Sequence, residues 1–274
     1  MPEPLPPAAV DTHCHVLDPS RGRVPGAAYD LFTATAADHQ AHLAALGAGR
    51  GVLVTASAHG TDNEPVLRAL GTRPEALRGV AVVAADVPDA ELDRLHAHGF
   101  RALRLQDRMA GGAPLSALVP MSHRVARLGW HIEIWTDVRD HLSWLPAAVR
   151  ESAVPVVFDH MGFLDADVPA GDPAVSLMVD LAAEDRAWIT LSGSYRLAPA
   201  LAPADAAKAL RPRIARFLDA VPTRLLWGSD WPYVAPPRTP PSTDDLRAEL
   251  DVWTTDAHLR DLLLVRNPAT CYAF

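Results

Sequence analysis

The sequence predicts an α/β protein of the (β/α)8 TIM-barrel class, distorted and built as a single domain over residues 1–274. Three observations carry this. Short β-branched runs alternate eight times with longer segments of helical periodicity, the signature of repeated βα units around a parallel sheet. Most of the strand runs are apolar throughout, as strands covered on both faces must be. The length of 274 residues suits eight such units in one barrel. A doubly wound open sheet is the competing architecture.

The predicted strands are 10–15, 51–55, 79–84, 100–105, 131–136, 154–159, 188–192 and 224–228. Between them, Asp89 supplies an N-cap and Gly99 a helix exit, Asp172-Pro173 opens another helix with proline in its first turn, and Gly47 and Gly129 close two more. Leu43, Leu46, Leu92, Leu95, Leu128, Leu177, Leu181, Ile214 and Leu218 fall on core-facing helix stripes. Pro236-Pro237 and Pro240-Pro241 make 234–242 an irregular loop over the barrel mouth, able to act as a lid. Residues 1–9 form an N-terminal tail, and the run Leu262 to Val265, followed by Asn267-Pro268, forms a last helix docked on the barrel.

Composition narrows the function classes. The net charge of −8 comes without acidic or basic blocks, so neither nucleic acid nor a membrane surface is an expected partner, and a small-molecule substrate is. No apolar run is long enough to cross a bilayer. Cys14 and Cys271 make no disulfide framework, and the N-terminus carries neither a basic region nor an apolar run, which predicts a reduced, cytoplasmic protein. Oligomeric state is not legible.

Chemistry gathers at the strand ends. In Val10-Asp11-Thr12-His13-Cys14-His15-Val16, residues two apart on a strand share a side, so His13 and His15 stand together and Cys14 faces the opposite layer. This makes a chelate or polarising pair, or two histidines filling a polar rim. The other strands lead to Ser57 and His59, to Arg104 and Gln106, to Trp135 and Asp137, to His160, to Ser194-Tyr195-Arg196 and to Asp230. In a barrel of this kind the C-terminal strand ends converge on one face, which carries the active site. Taken singly, His160 could be a satisfied core histidine and Asp230 a cap.

The ordered set Asp11-Thr12-His13-Cys14-His15, Ala56 to Asn63, Gly99 to Arg104, Gly129-Trp130-His131, Phe158 to Gly162, Leu191 to Arg196, Leu226 to Pro232 and Asn267-Pro268 resembles the amidohydrolase superfamily, in its branch of 2-pyrone-4,6-dicarboxylate lactonases and related sugar lactonases. The resemblance covers nearly the whole chain. It implies a distorted TIM barrel and hydrolysis of a lactone or similar cyclic ester, with His13, His15, His160 and Asp230 at catalytic positions. It also implies that Arg104 and Arg196 bind substrate carboxylates, and that Ser57, Tyr29 and the position of Trp135 contact substrate. A second strand-four arginine of the lactonases is missing, with Ala110 in its place and Arg108 nearby; Trp135 replaces a polar aromatic. Both departures suggest a substrate with fewer carboxylates and more apolar surface.

Opening a lactone requires an activated water and a stabilised oxyanion. Asp230 is the expected general base, its proton affinity raised by a dehydrated barrel mouth, while the three histidines polarise the carbonyl. The resemblance also implies that a two-metal site is not expected, since binuclear members of the superfamily bridge the metals with a lysine or glutamate on strand four and add a histidine at the end of strand five. Neither stands here, and the only lysine, Lys208, lies before strand eight. His13, His15 and Asp230, with His160 as a possible fourth ligand, could hold one divalent metal such as zinc. The resemblance implies that no cofactor is required, in which case at least one histidine should be protonated as a donor. A decarboxylase of an aromatic or muconate-type acid and a repurposed cyclase or isomerase remain alternatives.

Overall fold

The computed structural model describes residues 3–108, 110–234 and 240–274. Eight strands, β1 (Val10–Cys14), β2 (Arg50–Val54), β3 (Leu77–Ala81), β4 (Phe100–Gln106), β5 (His131–Trp135), β6 (Val156–Phe158), β7 (Ala187–Leu191) and β8 (Leu225–Trp227), pair in parallel in chain order. Between β1 and β8 no ladder forms among the described residues. A single bridge from Cys14 to Trp231 and a hydrogen bond from Thr12 Oγ1 to the Trp227 carbonyl (2.8 Å) join them instead, so the barrel is nearly closed.

The helices are α1 (Ala36–Leu46), α2 (Glu64–Leu70), α3 (Asp89–Ala97), α4 (Leu118–Ala126), α5 (Leu145–Glu151), α6 (Pro173–Ala183), the short α7 (Ser194–Leu197), α8 (Pro203–Ala220), α9 (Thr243–Trp253), α10 (Ala257–Asp261) and α11 (Asn267–Tyr272). They pack their apolar stripes on the outer faces of the strands. Leu43, Leu46, Leu92, Leu95, Leu181, Ile214 and Leu218 are buried there, and Leu128 and Leu177 half-buried. A second cluster, Val10, Val52, Val54, Val80, Ala102, Val157 and Leu226, comes from inward positions of six strands and is plugged by Tyr272 of α11. Asn267 ties α11 to β8 by donating to the Pro222 and Leu225 carbonyls at 2.8 Å each. Among the described residues, no helix is long and apolar enough to cross a membrane.

Several boundaries differ from the sequence reading for local reasons. β3 stops at Ala81 because the Asn63 side chain replaces a neighbouring strand, accepting from Val82 N (3.0 Å) and donating to Val82 O (2.9 Å). Asp89 is not the N-cap; Pro88 occupies that position, and Asp89 begins α3 and pairs with Arg124 at 2.6 Å. α4 ends at Ala126, and Gly129, at φ +67°, closes the turn beyond it. Asp172 and Gly47 cap α6 and α1 as expected. The tail before β1 is docked: Leu5 is buried and donates to the Leu46 carbonyl. Of the proposed lid, 235–239 lie outside the described residues; Val234 is buried and Ser242 caps α9 through Asp245.

Candidate active site

The C-terminal strand ends bring His13, His15, His160 and Asp230 together. The His13 and His15 rings lie 5.2 Å apart, edge to face, and His160 stands 4.7 Å from His13. The chain leaves β6 in a left-handed turn, with His160 at φ 49° and ψ 45°, and Asp230 just beyond β8 is also left-handed, at φ 60°. Each such non-glycine residue costs about 1–2 kcal/mol of backbone strain, which the surrounding packing must hold. Gly193 is required where β7 passes His160, since a Cβ there would come within 2.9 Å of the imidazole Nδ1.

Asp230 is completely buried. Its Oδ2 accepts hydrogen bonds from the Tyr195 hydroxyl (2.7 Å) and from Arg196 Nε, both on α7. Its Oδ1 has no hydrogen-bond partner among the described residues and faces His15 Nε2 at 3.5 Å and His13 Nε2 at 3.9 Å. Burial alone would favour the neutral acid, but the Arg196 guanidinium against it outweighs burial and holds the carboxyl well below the usual range. The expectation of a raised proton affinity at Asp230 is therefore wrong for this state: the dry mouth also contains a buried guanidinium. Burial and the neighbouring Asp230 charge keep Tyr195 a phenol, and so a donor.

Burial likewise pushes His160 down to about 3 and His13 well below its usual value, with Arg104 and the other imidazoles adding to the effect at His13. Both are therefore neutral at physiological pH, so neither is the imidazolium donor. His15 Nδ1 sits 2.8 Å from the Val54 carbonyl, which can only accept, so this nitrogen carries the proton and Nε2 faces Asp230. His160 Nδ1 contacts Ser192 Oγ at 2.8 Å.

Arg104 reaches Asp159 Oδ2 at 3.1 Å and lies 4.9 Å over the Trp135 ring, which meets Phe163 edge to face. Asp159 also faces His13 Nδ1 at 3.6 Å, and its acidity is weakened by burial against the pull of Arg104. A narrow cleft, with room for about one water, is lined by His15, Tyr29, Ser57, Arg104, Trp135, His160, Arg196 and Val234. Tyr29 and Ser57 are joined through their hydroxyls at 3.2 Å. Other strand-end residues serve the scaffold: His59 Nε2 accepts from Asp18 N, Gln106 donates to the Gly111 carbonyl, and Asp137 binds Arg139. Arg108 lies over Phe163, and Lys208 is exposed beside Asp205. The sequence reading missed Asp159, Glu133 and the role of Tyr195. Asp159 and Glu133 were visible as carboxylates inside apolar strand runs, a pattern that marks a polar interior.

Among the described residues, three buried groups each place their ligand atoms within 4.8 Å of one another: His13, His160 and Asp230; His13, Glu133 and Asp159; and Asp11, Cys14 and His42. The expected ligand count was thus too small, and the compact set in the mouth contains His160 where the sequence suggested His15. Neutral imidazoles, an ionised carboxylate, and unpartnered His13 Nε2 and Asp230 Oδ1 suit a single divalent ion.

An eight-stranded parallel barrel with histidines and an aspartate converging at its C-terminal mouth defines a barrel hydrolase. The chain belongs to the amidohydrolase family, whose model matches residues 10–274, and with that family comes the enzyme class, a hydrolase. It is 32% identical to a 2-pyrone-4,6-dicarboxylate hydrolase of Comamonas testosteroni, covering 98% of this chain and 91% of that protein. It is 27% identical to a D-galactarolactone isomerase of Agrobacterium fabrum, covering 98% and 92%. The crystal structure of a probable 2-pyrone-4,6-dicarboxylic acid hydrolase from Acinetobacter baumannii with citric acid bound superposes with a TM-score of 0.85 at 28% identity, covering 97% of this chain and 100% of that one.

Proposed function

We propose that this protein hydrolyses a lactone or similar cyclic ester of a small carboxylate-bearing substrate. The observation that carries the reading is the unpartnered, ionised Asp230 Oδ1 facing His13 and His15, beside a pocket flanked by Arg104 and Arg196. Asp230 Oδ1 holds the water and takes its proton as the oxygen attacks the ring carbonyl; the proton then passes to the leaving alkoxide. His13, His15 and His160 polarise the carbonyl, His160 through Nε2–H once Ser192 donates to its Nδ1, and His15 through Nε2–H when its ring carries both protons, since Val54 O holds the Nδ1–H. Arg104 and Arg196 hold carboxylate by paired hydrogen bonds, in keeping with the lactone hydrolase relatives and the citric acid in the Acinetobacter structure. Trp135 and Phe163 add apolar surface, consistent with a substrate less charged than the pyrone dicarboxylate. When a substrate carboxylate engages Arg196, less of that charge bears on Asp230 and its proton affinity rises, so binding strengthens the base.

The reaction as proposed needs no cofactor. If one divalent ion is held, His13, His160 and Asp230 hold it with His15 alongside, and it supplies Lewis acidity that lowers the pKa of bound water. The isomerase relative favours a second reading, transfer of the acyl group within the substrate rather than to water. Incubation with a panel of acidic and neutral lactones, read by a pH indicator, by carbon dioxide detection and by product mass, tests the reading. Acid release with gain of one water supports hydrolysis. A new product of unchanged mass, separated from the substrate, establishes isomerisation, and carbon dioxide release establishes decarboxylation.

A further inference from the structure

The seam where β8 returns to β1 is where the base meets the histidines, and we propose that Asp11, His42 and Ser229 form a latch that sets the position of Asp230 against His13 and His15. The proposal rests on the catalytic reading of those three residues. A bulge in β1 places two residues, Thr12 and His13, opposite one on β2, so Asp11 turns outward with Cys14 instead of sharing the side of His13. There, Asp11 Oδ1 accepts from Ser229 N at 2.8 Å, pinning the residue immediately before the base.

His42 of α1 places Nε2 3.4 Å from Asp11 Oδ2 and 3.1 Å from Ser229 Oγ, and Ser229 Oγ in turn accepts from Trp231 N at 3.1 Å. The Trp231 indole stacks on the His42 ring, with centroids 5.4 Å apart. Across the same seam Asp230 N donates to the His13 carbonyl and His15 N to the Trp231 carbonyl. The strands come so close at Gly228 that an added Cβ would stand 2.6 Å from the His13 Cβ. With no ladder between β1 and β8 among the described residues, these contacts carry the register between the two halves of the site. Asp11, Ser229 and His42 are all buried and none lines the pocket, so they are positioning residues.

Misplacement of a reacting group by about 1 Å costs on the order of 10²-fold in rate, and the pocket walls that bind substrate are untouched by the latch. Ser229→Ala and His42→Ala should therefore lower kcat by about tenfold or more, with KM within about twofold of wild type. In both variants the Ser229 and Asp230 amides should exchange hydrogen faster. His42→Gln, whose amide can still hydrogen-bond Ser229 Oγ, should recover much of the lost kcat. Rates are normalised to the folded fraction from thermal melts, and Ser229→Ala, which removes one oxygen, keeps the test available should His42→Ala fail to fold. Unchanged kcat in the latch variants alongside an inactive Asp230→Asn overturns the latch alone. A rise in KM at constant kcat also overturns it, and an active Asp230→Asn overturns the catalytic reading and the latch with it.

Discussion

Replacing Arg196 by Met removes the cation that holds Asp230 ionised while keeping a side chain of similar length. Both partners are buried, and breaking such a pair from one side costs about 3–5 kcal/mol if the remaining charge stays. Asp230 retains the Tyr195 hydroxyl and His15, and it can instead take up a proton, which limits the loss. In wild type the folded-state pKa of Asp230 is depressed, so its ionisation stabilises the fold above the unfolded value of about 4 and that contribution is lost as pH falls through the folded value. Without Arg196, the largest influence opposing burial, the carboxyl moves upward. The stability that its ionisation contributes above about 4 shrinks accordingly. The acid limb of kcat/KM should move towards neutrality for every substrate. Sequence alone suggests that neutral lactones would be spared; the contact with Asp230 says they are not. Acidic lactones should lose a further 1.5–3 kcal/mol or so, roughly 10- to 150-fold. The assay is kcat/KM from acid to alkaline pH for one acidic lactone and its neutral ester. An unmoved acid limb with equal losses for both substrates would refute this reasoning.

Asp230→Asn should reduce turnover by roughly 10²-fold or more with the fold intact, and activity within a few-fold of wild type would sink its assignment as base. Arg104→Met should weaken acidic substrates more than neutral ones; an equal loss for both would mean that Arg104 serves only to pair with Asp159. Glu249, buried in α9 and accepting from Ser194 Oγ, is pushed up to about 7, chiefly by burial. Its protonated form therefore stabilises the fold below the unfolded value near 4.5, and this is lost as pH rises through about 7. Glu249→Gln should gain on wild type in thermal melts between mildly acidic and mildly alkaline pH, by roughly 3 kcal/mol at most; parallel curves would contradict the burial effect. Metal analysis of purified protein should return no more than one equivalent in the mouth. Two equivalents there would overturn this, and full activity well below one equivalent would rule out a zinc mechanism.

The barrel and the roster of its mouth were legible in the sequence because both depend on local pattern. Apolar runs of strand length and helical stripes such as Leu92 with Leu95 specify βα units without knowledge of their neighbours, and the polar residue ending each run falls at the mouth once the strands are parallel. Alternation also placed His13 beside His15. Asp11 escaped the same rule, because a bulge set by pairing with β2 turned it outward. The ionisation of the site lay further out of reach. Asp230 is held charged by Arg196, 34 residues away, and its backbone is anchored through Asp11, 218 residues from Ser229. Proton affinities follow from burial and from charges a few ångströms distant, and those distances exist only after the chain has closed. Sequence thus determined which residues meet at the mouth; tertiary structure decided that His13 and His160 are neutral, that Asp230 is charged, and that Arg196 is bound to Asp230.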